Sequence, residues 1–577
     1  MKPRRIVRRA LAADHPLLNE SRWHPVLRRI YAARGIADAE ALDLRLAHLA
    51  SPTALGGLDG ACAILIDAIR TQQSILVVGD FDADGATGTA VALRGLAMLG
   101  AERLSFRVPH RFLHGYGLSV ALVAELAADP PAVLITVDNG IACIDGVRAA
   151  RALGCRVIVT DHHLPGSALP DADAIVNPNL LHDAFPSKSL AGVGVMFYLL
   201  LALRARLRDA NAFESGRPAP DLSSLLDLVA LGTVADLVPL DRNNRVLVAA
   251  GLRRINAGVA SAGVMALLRV AGRDHTKVDA SDLGFVVGPR INAAGRLEDM
   301  SIGIQCLLSE HAAQATAWAV QLDAINRERR DVQADMVAEA EQWLALHHAN
   351  VADLPPALCL FDERWHAGVV GLVASKLKER VHRPVIAFAP AGEGSDEIKG
   401  SARSIPGVHI RDLLAEVNAL HPGLITRFGG HAMAAGMSLA AADLDRFRAA
   451  FNAVAGARID SSLFDACVLS DGPLAAGDID FALTDALRTG GPWGQAFPEP
   501  LFDGEFDVES ARVMGSKHLG LRLRCALSGR PFEAVHFGGY EGALPSGRWQ
   551  FAYVPQVNEW REEARLQLMI RHAIRLD

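Results

Sequence analysis

Three aspartates on alternate residues, directly after a short apolar run, constrain the fold of this chain more than any other feature. The run 75–78 is followed by Gly79 and then by Asp80, Asp82 and Asp84, just before a helix-like stretch. Carboxylates at the end of a buried strand are desolvated and repel one another, which proteins tolerate chiefly when a cation neutralises them. The triplet therefore predicts either a site for Mg²⁺ or Mn²⁺ or a solvated acidic turn that caps the following helix.

The same pattern of an apolar run ending in polar residues recurs twice downstream. The repeats are the run 132–137, followed by Asp138 and Asn139, and the run 155–160, followed by Asp161, His162 and His163. Helix-like stretches over 86–99 and 144–153 separate the runs, and this alternation predicts βαβ units with a parallel sheet. Because such sheets carry their functional residues at the carboxyl ends of the strands, we expect the three strand ends to converge in one crevice. Adjacent residues of a strand face opposite ways, so the two histidines should have different roles.

A further acidic residue interrupts the apolar segment 225–239. Asp236 lies between apolar residues shortly after Gly232 and Thr233, so we expect its carboxylate to point inward. Taken alone, Asp236 is equally compatible with a helix cap or a buried hydrogen-bond acceptor.

Taken together, these motifs carry a family resemblance. Gly-Asp-Phe-Asp-Ala-Asp-Gly, Val-Asp-Asn-Gly, Thr-Asp-His-His and Ala-Leu-Gly-Thr-Val-Ala-Asp resemble, in this order, the four motifs of the DHH phosphoesterase superfamily. Residues 429–436 (Gly-Gly-His-Ala-Met-Ala-Ala-Gly) resemble the glycine-rich signature of the associated DHHA1 domain. Within this superfamily the chain is most similar to the bacterial single-strand-specific 5′→3′ exonucleases. The resemblance implies two-metal-ion hydrolysis of phosphodiester bonds in single-stranded DNA with release of 5′ mononucleotides, in DNA recombination and repair.

The resemblance also implies a role for each residue of the predicted metal site. Asp138 would bridge two Mg²⁺ or Mn²⁺ ions, with Asp80 and Asp82 on the first ion and Asp84, His162 and Asp236 on the second. His163 would face the scissile phosphate as a hydrogen-bond donor. Asp161 and Asn139 would orient the ligands.

Six further residues are predicted, by the same resemblance, to contact the nucleic acid. Arg111, Arg290, Ser401 and Arg403 would grip the DNA end and its 5′ phosphate, Tyr116 would stack on a base, and His431 would approach the substrate from the second domain. For each arginine the alternative is an ordinary solvated surface charge.

The pattern along the chain predicts an α/β multidomain architecture. We expect a helical or irregular region over 1–60 that begins with a loosely ordered basic arm, a DHH parallel-sheet phosphoesterase core over 61–303, and an α/β DHHA1 domain over 355–455. Residues 304–354 contain no Gly or Pro and predict a long connecting helix. Runs of period-two alternation over 460–577 predict a β-barrel resembling an OB-fold, which would bind single strands or merely brace the other domains.

Composition restricts the class of protein. Seven scattered cysteines without a CxxC pair argue against a disulfide framework and a cysteine zinc site. No apolar run approaches the roughly 20 residues of a membrane span, and we expect a cytoplasmic enzyme. The net charge of −7 does not by itself indicate nucleic acid. Single-strand-binding protein and helicases of recombination or mismatch repair are partners implied by the resemblance alone.

Two other functions remain open at this point. One is a DHH phosphodiesterase for short oligonucleotides, cyclic dinucleotides or pyrophosphate, although such relatives are generally shorter. The other is a non-catalytic scaffold that keeps the fold, which the complete set of predicted ligands argues against.

Overall fold

The structure is a computed structural model that describes residues 4–111, 113–213, 218–347, 354–392, 394–475, 477–558 and 564–576. Its strands are β1 Arg5–Arg8, β2 Ile75–Val78, β3 Leu104–Arg107, β4 Val133–Val137, β5 Arg156–Thr160, β6 Ala174–Val176, β7 Leu358–Phe361, β8 Val385–Pro390, β9 Glu397–Arg403, β10 Arg427–Gly430, β11 Ala434–Ala440, β12 Cys467–Ser470, β13 Phe502–Met514, β14 His518–Cys525, β15 Pro531–His536, β16 Gly547–Asn558 and β17 Arg565–Arg575.

The helices are α1 Pro25–Ala33, α2 Leu58–Arg70, α3 Ala83–Met98, α4 Val120–Ala124, α5 Ile144–Ala152, α6 Gly192–Asp209, α7 Leu226–Ala235, α8 Arg242–Asn256, α9 Ala262–Val270, α10 Ala280–Asp282, α11 Gly288–Leu297, α12 Ser301–Leu308, α13 Ala312–His347, α14 Val370–Val381, α15 Ile410–Leu420, α16 Leu444–Arg458 and α17 Phe481–Thr489. Short 3₁₀ turns connect several of them, and one π-helical turn, Leu283–Val287, precedes α11.

The chain divides into two compact units. The parallel-sheet unit comprises Glu40–Arg330 and Gly491–Pro498, and the barrel unit comprises Met1–Ala39, Asp331–Gly490 and Glu499–Asp577. The division falls inside α13. Of the helix predicted over 304–354, the described part consists of the end of α12, a break at Ser309–His311 and α13, which ends at His347 and contributes to both units; residues 348–353 lie outside the described residues.

A five-stranded sheet in the order β3-β2-β4-β5-β6, with every strand parallel to its neighbours, forms the centre of the parallel-sheet unit. All residues of β2 and β4 are buried, which explains why they read as unbroken apolar runs rather than as alternating ones. The strand order reverses direction between β2 and β4, so the crevice expected at a switch point lies at the carboxyl ends of these strands. This sheet confirms the predicted class of the core.

Helices α3 and α6 are buried and pack closely, α3 against the sheet and against α6. A Cβ on Gly88 of α3 would lie 2.5 Å from the Val137 side chain, and one on Gly95 would lie 2.3 Å from Leu200 of α6. The glycines therefore let α3 approach β4 and α6 more closely than any side chain would allow.

The barrel unit contains a mixed sheet and a closed barrel. The mixed sheet has the order β10-β11-β9-β8-β7 and packs its apolar face on α15 and α16 through residues such as Phe388, Leu439 and Phe447. The barrel has the order β13-β14-β15-β17-β16, and Phe506, Phe551 and Tyr553 fill its interior. A closed five-stranded barrel confirms the predicted C-terminal β-domain.

The beginning of the described chain differs from the prediction of a loosely ordered arm. Residues Arg5–Arg8 form β1, which pairs in parallel with β12 near the barrel. Arg8 donates hydrogen bonds to the buried carboxylate of Asp503, and Arg34 forms an ion pair with buried Asp471. The prediction was wrong because the acceptors lie more than 400 residues away and leave no trace in the local sequence.

Among the described residues, no single helix is both long and apolar enough to span a bilayer, whereas one bent pair, Leu46–Ala54 with Leu58–Arg70, meets the length and composition test jointly.

Candidate metal centre

The carboxyl ends of β2, β4 and β5 bring the predicted acidic and histidine residues together. Asp80, Asp138 and Asp161 follow these three strands and are almost fully buried. Asp82 caps the first turn of α3 by accepting hydrogen bonds from the N–H groups of Asp84 and Gly85. The strand ends therefore converge as the sequence predicted.

The site contains two groups of three side chains each. Within each group, the three ligand atoms lie within 4.8 Å of one another. One consists of Asp80, Asp82 and Asp138, and the other consists of Asp84, His162 and Asp236. His162 joins the two groups, because its Nε2 lies 3.0 Å from Asp138 Oδ1 and 3.6 Å from Asp236 Oδ2. A third grouping of Asp138 with both histidines satisfies the same distance.

Asp84 is held by the first turn of α6. The N–H groups of Gly192 and Val193 donate to its two carboxylate oxygens at 2.6 and 2.9 Å. A Cβ on Gly192 would lie 2.5 Å from Cβ of Asp138, so only glycine lets α6 start this close to both aspartates. The start of α6 thus fixes Asp84 and lies against Asp138.

Asp138 adopts a left-handed backbone conformation with φ of 63°. This conformation costs a residue other than glycine roughly 1–2 kcal/mol, with Asp and Asn the most tolerant. The Tyr116 hydroxyl donates to the carbonyl oxygen of Asp138 at 3.2 Å, and the Tyr116 ring meets the His163 ring edge to face with centroids 6.0 Å apart. Tyr116 therefore braces the turn that presents Asp138.

Both histidines lie beyond the end of β5 at Thr160, so the alternation of strand residues does not apply to them, and both offer a ligand atom within 4.8 Å of Asp138. Oδ1 of Asp161 accepts hydrogen bonds from the backbone N–H groups of His162 and His163 and lies 2.8 Å from His163 Nδ1. The side chains of Asn177 and Asn179 donate to the carbonyl oxygens of His163 and His162. The backbone of the histidine pair is thereby fixed on both sides.

Burial and mutual repulsion shift the proton affinities of the clustered carboxylates. Burial first, and then neighbouring aspartates, raise the pKa of Asp80, Asp138 and Asp236 well above the usual value for Asp and raise the pKa of Asp84 to about 7. Burial alone would lower the pKa of His163, but the hydrogen bond to Asp161 and its charge outweigh this effect and raise it to about 9.

The residues at this site fit divalent cations. Oxygen and imidazole ligands suit Mg²⁺ and Mn²⁺. Asp138 Oδ1 is buried and accepts no hydrogen bond from the part of the chain that the structure describes, although His162 Nε2 lies 3.0 Å away. A cation bound here would remove the repulsion that raises the pKa values of the carboxylates.

Arg111 lies beside the first group of carboxylates. Its guanidinium carbon is 4.0 Å from the centroid of the Phe81 ring, and its Nε donates to the Gly295 carbonyl. Burial lowers the pKa of Arg111, and the charges of Asp80 and Asp82 oppose this shift. The guanidinium group of Arg111 is thus held next to the proposed metal ligands rather than solvated at the surface.

Arg290 projects from α11 and is held by Asp323 of α13. Nε and Nη2 of Arg290 lie 2.9 and 2.8 Å from Asp323 Oδ1, and Nη1 donates to the Val286 carbonyl. In the same helix, Asn292 accepts the N–H of Ala83 at the start of α3. Helix α11 therefore positions Arg290 and also buttresses the aspartate triplet.

Asn139 connects two strand ends. Its side-chain amide donates to the carbonyl oxygens of Val78 and Val137, which end β2 and β4. It therefore fixes the strand ends from which Asp80 and Asp138 project.

In the barrel unit, Ser401 and Arg403 lie on the same face of β9. A Cβ on Gly371, in the first turn of α14, would lie 2.7 Å from Arg403 Nη2 and 3.3 Å from Ser401 Oγ. Burial lowers the pKa of Arg403. A buried guanidinium, a hydroxyl and a helix N-terminus together form a cradle suited to an anion. His431 is exposed on the turn between β10 and β11.

Several supporting residues were missed in the sequence. They are Gly192, Asn177, Asn179, Asn292, Asp323 and Gly371. Each acts through a contact with residues distant in the chain, and the only local signal was the glycine at the start of α6 and of α14.

Comparisons with known proteins were made for the whole chain. Family models described as the DHH family N-terminal domain, the DHHA1 domain and the RecJ OB domain match residues 74–233, 354–457 and 470–572. The single-stranded-DNA-specific exonuclease RecJ of Salmonella typhimurium is 46% identical over 574 residues, which cover 99% of both chains. Crystal structures of RecJ from Thermus thermophilus with Mn²⁺ and with Mg²⁺ align over all of this chain and over 80% and 79% of theirs, with TM-scores of 0.82 and 0.76 at 31% and 30% identity.

Proposed function

This chain belongs to the RecJ family of single-stranded-DNA-specific exonucleases, and from that premise we propose how its residues degrade single-stranded DNA from the 5′ end and release mononucleotides. The observation that carries the proposal is the pair of ligand groups at the carboxyl ends of the parallel strands, one of three aspartates and one of two aspartates and a histidine. Two adjacent groups of this kind suit a two-metal phosphodiesterase.

Asp80, Asp82 and Asp138 would hold one Mg²⁺ or Mn²⁺ ion, and Asp84, His162 and Asp236 would hold the other, with Asp138 shared. When bound, two such ions supply an activated water and stabilise charge on the attacking and leaving oxygens. The contacts of Asp84 with α6 and the braced backbone of Asp138 keep both carboxylates in place before the substrate arrives.

His163 would donate a hydrogen bond to the scissile phosphate or to the leaving oxygen. In the metal-free fold the hydrogen bond to Asp161 and nearby negative charge raise the pKa of His163 to about 9, and Asp161 fixes the orientation of the ring. A protonated imidazole held in this way is a hydrogen-bond donor of the kind that stabilises charge developing in a transition state. Asp161 acts through His163, and Asn139 acts through the two strand ends.

Arg111, Arg290, Ser401 and Arg403 would bind the phosphates at the 5′ end. Buried or partly buried guanidinium groups favour bound phosphates because less solvent screens them. Asp323 fixes the fork of Arg290, and Gly371 leaves room for an anion beside Arg403. Tyr116 and His431 would contact the terminal nucleotides, and the barrel would hold the incoming single strand.

By family membership we also propose that the protein acts in the cytoplasm, together with single-strand-binding protein and helicases of recombination or mismatch repair.

The test is digestion of single-stranded DNA that carries a label at the 5′ or the 3′ end, with Mn²⁺ or Mg²⁺, alongside blunt duplex. We expect immediate release of a labelled 5′ mononucleotide, gradual shortening of the 3′-labelled strand and an intact duplex. Hydrolysis of dinucleotides without cleavage of long strands would instead favour a small-substrate phosphodiesterase.

Asp236→Asn is the variant that tests the metal site most directly, because its carboxylate lies at the rim of the second ligand group. We expect it to abolish digestion. Asp145→Asn, an exposed aspartate of the same unit, is the matched control and should digest DNA as the wild type does. Normal digestion by Asp236→Asn would contradict the assignment of that residue.

A further inference from the structure

Two exposed apolar residues, one beside Asp236 in the chain and one in the π-helical turn before α11, have no role in the function described so far. Leu237 directly follows Asp236, and 60% of its surface is exposed. Phe285 lies in the π-helical turn Leu283–Val287 and is 76% exposed. Single exposed apolar residues are common on proteins. Exposure alone therefore does not indicate a function for Leu237 and Phe285, whereas their position and backbone conformation do.

Both residues belong to segments at the carboxyl end of α7. The π-helical turn packs on this end, because a Cβ on Gly284 would lie 3.2 Å from the Val234 side chain and one on Gly288 would lie 3.1 Å from Cβ of Ala235. Asp236 and Leu237 follow immediately in the chain. Leu237 is thus the chain neighbour of a proposed metal ligand, and Phe285 belongs to a turn whose backbone packs on the same end of α7.

The backbone of Leu237 is strained for its residue type. Its φ is 62°, which costs roughly 1–2 kcal/mol for a branched apolar residue. Burial does not offset this cost, because most of the side chain faces solvent. Strain that the fold does not repay through packing is typical of functional positions.

The π-helical turn is a second and independent indication. π-Helical turns are rare in proteins, and those that occur are often found at functional sites. This turn exposes Phe285, and one of its carbonyl groups, that of Val286, accepts a hydrogen bond from Arg290. One short segment thus presents an aromatic ring and also holds a proposed phosphate-binding arginine.

We propose that Leu237 and Phe285 form a platform for the unpaired bases of the strand beside the scissile phosphate. This inference rests on the proposed function. An aromatic face and an apolar branch accept any base, because every base has a π-face. Paired bases are stacked within the duplex and do not offer this face, so the platform contributes to the selection of single strands.

The test compares 5′-phosphorylated oligothymidine strands that carry normal or abasic residues at the first three positions. For the wild type we expect kcat/KM to be about 5- to 150-fold higher on the strand with bases. Phe285→Ser and Leu237→Asn should bring this ratio close to one and leave hydrolysis of the abasic strand near the wild-type rate. Asn accepts a left-handed backbone, so Leu237→Asn should fold normally.

Val259→Asn, at an exposed apolar residue elsewhere in the same unit, is the matched control and should keep the wild-type ratio. A second readout does not depend on hydrolysis. In Ca²⁺ we expect the wild type to quench 2-aminopurine near the 5′ end of a bound strand, and Phe285→Ser to lose most of that quenching.

An unchanged preference for bases and unchanged quenching in both variants would overturn the inference while the exonuclease function stands. Failure of the wild type to hydrolyse either strand would instead overturn the function.

Discussion

Replacing Asp138 by asparagine should abolish the exonuclease and yet stabilise the metal-free protein. Asparagine keeps the size of the side chain and tolerates the left-handed backbone at φ of 63°. Alanine would add a backbone penalty of roughly 1 kcal/mol and confuse the result. The substitution therefore removes little besides the negative charge and one oxygen ligand.

The magnitude follows from the distances. Oxygens of Asp138, Asp80 and Asp82 all lie within 4.8 Å of one another. At an effective dielectric constant of about 20, two unit charges at that separation repel by about 3 kcal/mol. Protonation of the cluster and the nearby histidines relieve part of this repulsion, so we expect metal-free Asp138→Asn to be more stable by about 1–3 kcal/mol. Saturating Mn²⁺ at about 100 times its Kd should then stabilise the wild type by about 2.7 kcal/mol and the variant much less.

The assay is thermal unfolding of the wild type and the variant in EDTA and in MnCl₂, with hydrogen exchange of β4 and α6 peptides to follow this unit separately. The order of stability should reverse when Mn²⁺ is added, and hydrolysis of single-stranded DNA should fall to background. Asp145→Asn should follow the wild type in both buffers. A variant that is less stable than the wild type in EDTA, or that keeps the full stabilisation by Mn²⁺, would refute the reasoning.

Three further predictions concern residues around the site. Gly371→Ala places a Cβ 2.7 Å from Arg403 Nη2. The KM for 5′-phosphorylated strands should therefore rise several-fold, with little change in kcat. An unchanged KM in steady-state kinetics would count against the anion cradle. Asp161→Asn disturbs the orientation of His163 and should lower kcat roughly 10- to 100-fold, while Mn²⁺ binding measured by calorimetry stays near normal. Because the carboxylate pKa values are raised in the metal-free fold, the cost of ionising them is absent below about pH 4 and grows as the pH rises, for Asp84 up to its pKa of about 7. Stabilisation by Mn²⁺ should therefore be larger at about pH 8 than at about pH 5.5, and the reverse order in unfolding experiments would contradict this.

Three of the proposed ligands, Asp80, Asp138 and His162, could be read from the sequence because they follow strands that are buried on both faces. Such strands appear as continuous apolar runs, and the residue after each run projects into the crevice at the switch point. Asp138 directly follows its run, whereas Asp80 and His162 each stand one residue further along. Their polar character, directly after apolar runs, is a local signal that needs no knowledge of the rest of the chain.

The supports of the site could not be read in the same way. Asp84 is fixed by backbone N–H groups 108 and 109 residues further along the chain. Asp323 belongs to the long helix α13, which contains several other acidic residues, so its sequence pattern does not distinguish Asp323 from them. Asn177 and Asn179 donate to backbone carbonyls, and any sequence could offer those acceptors. These contacts join segments that are distant in the chain. The pattern of residues within one segment therefore does not predict them.

The pairing of β1 with β12 has a consequence for biogenesis. Strand β1 leaves the ribosome before its partner β12, which is synthesised about 460 residues later. Closing a loop of that length costs entropy, although the cost rises only slowly with length. Most of the parallel-sheet unit, Glu40–Arg330, is synthesised early, whereas its segment Gly491–Pro498 and much of the barrel unit come late in synthesis. Early termination would therefore leave a folded phosphoesterase core attached to an unpaired β1, with Arg8 and Arg34 lacking their acidic partners, and such products should be preferred targets for proteolysis.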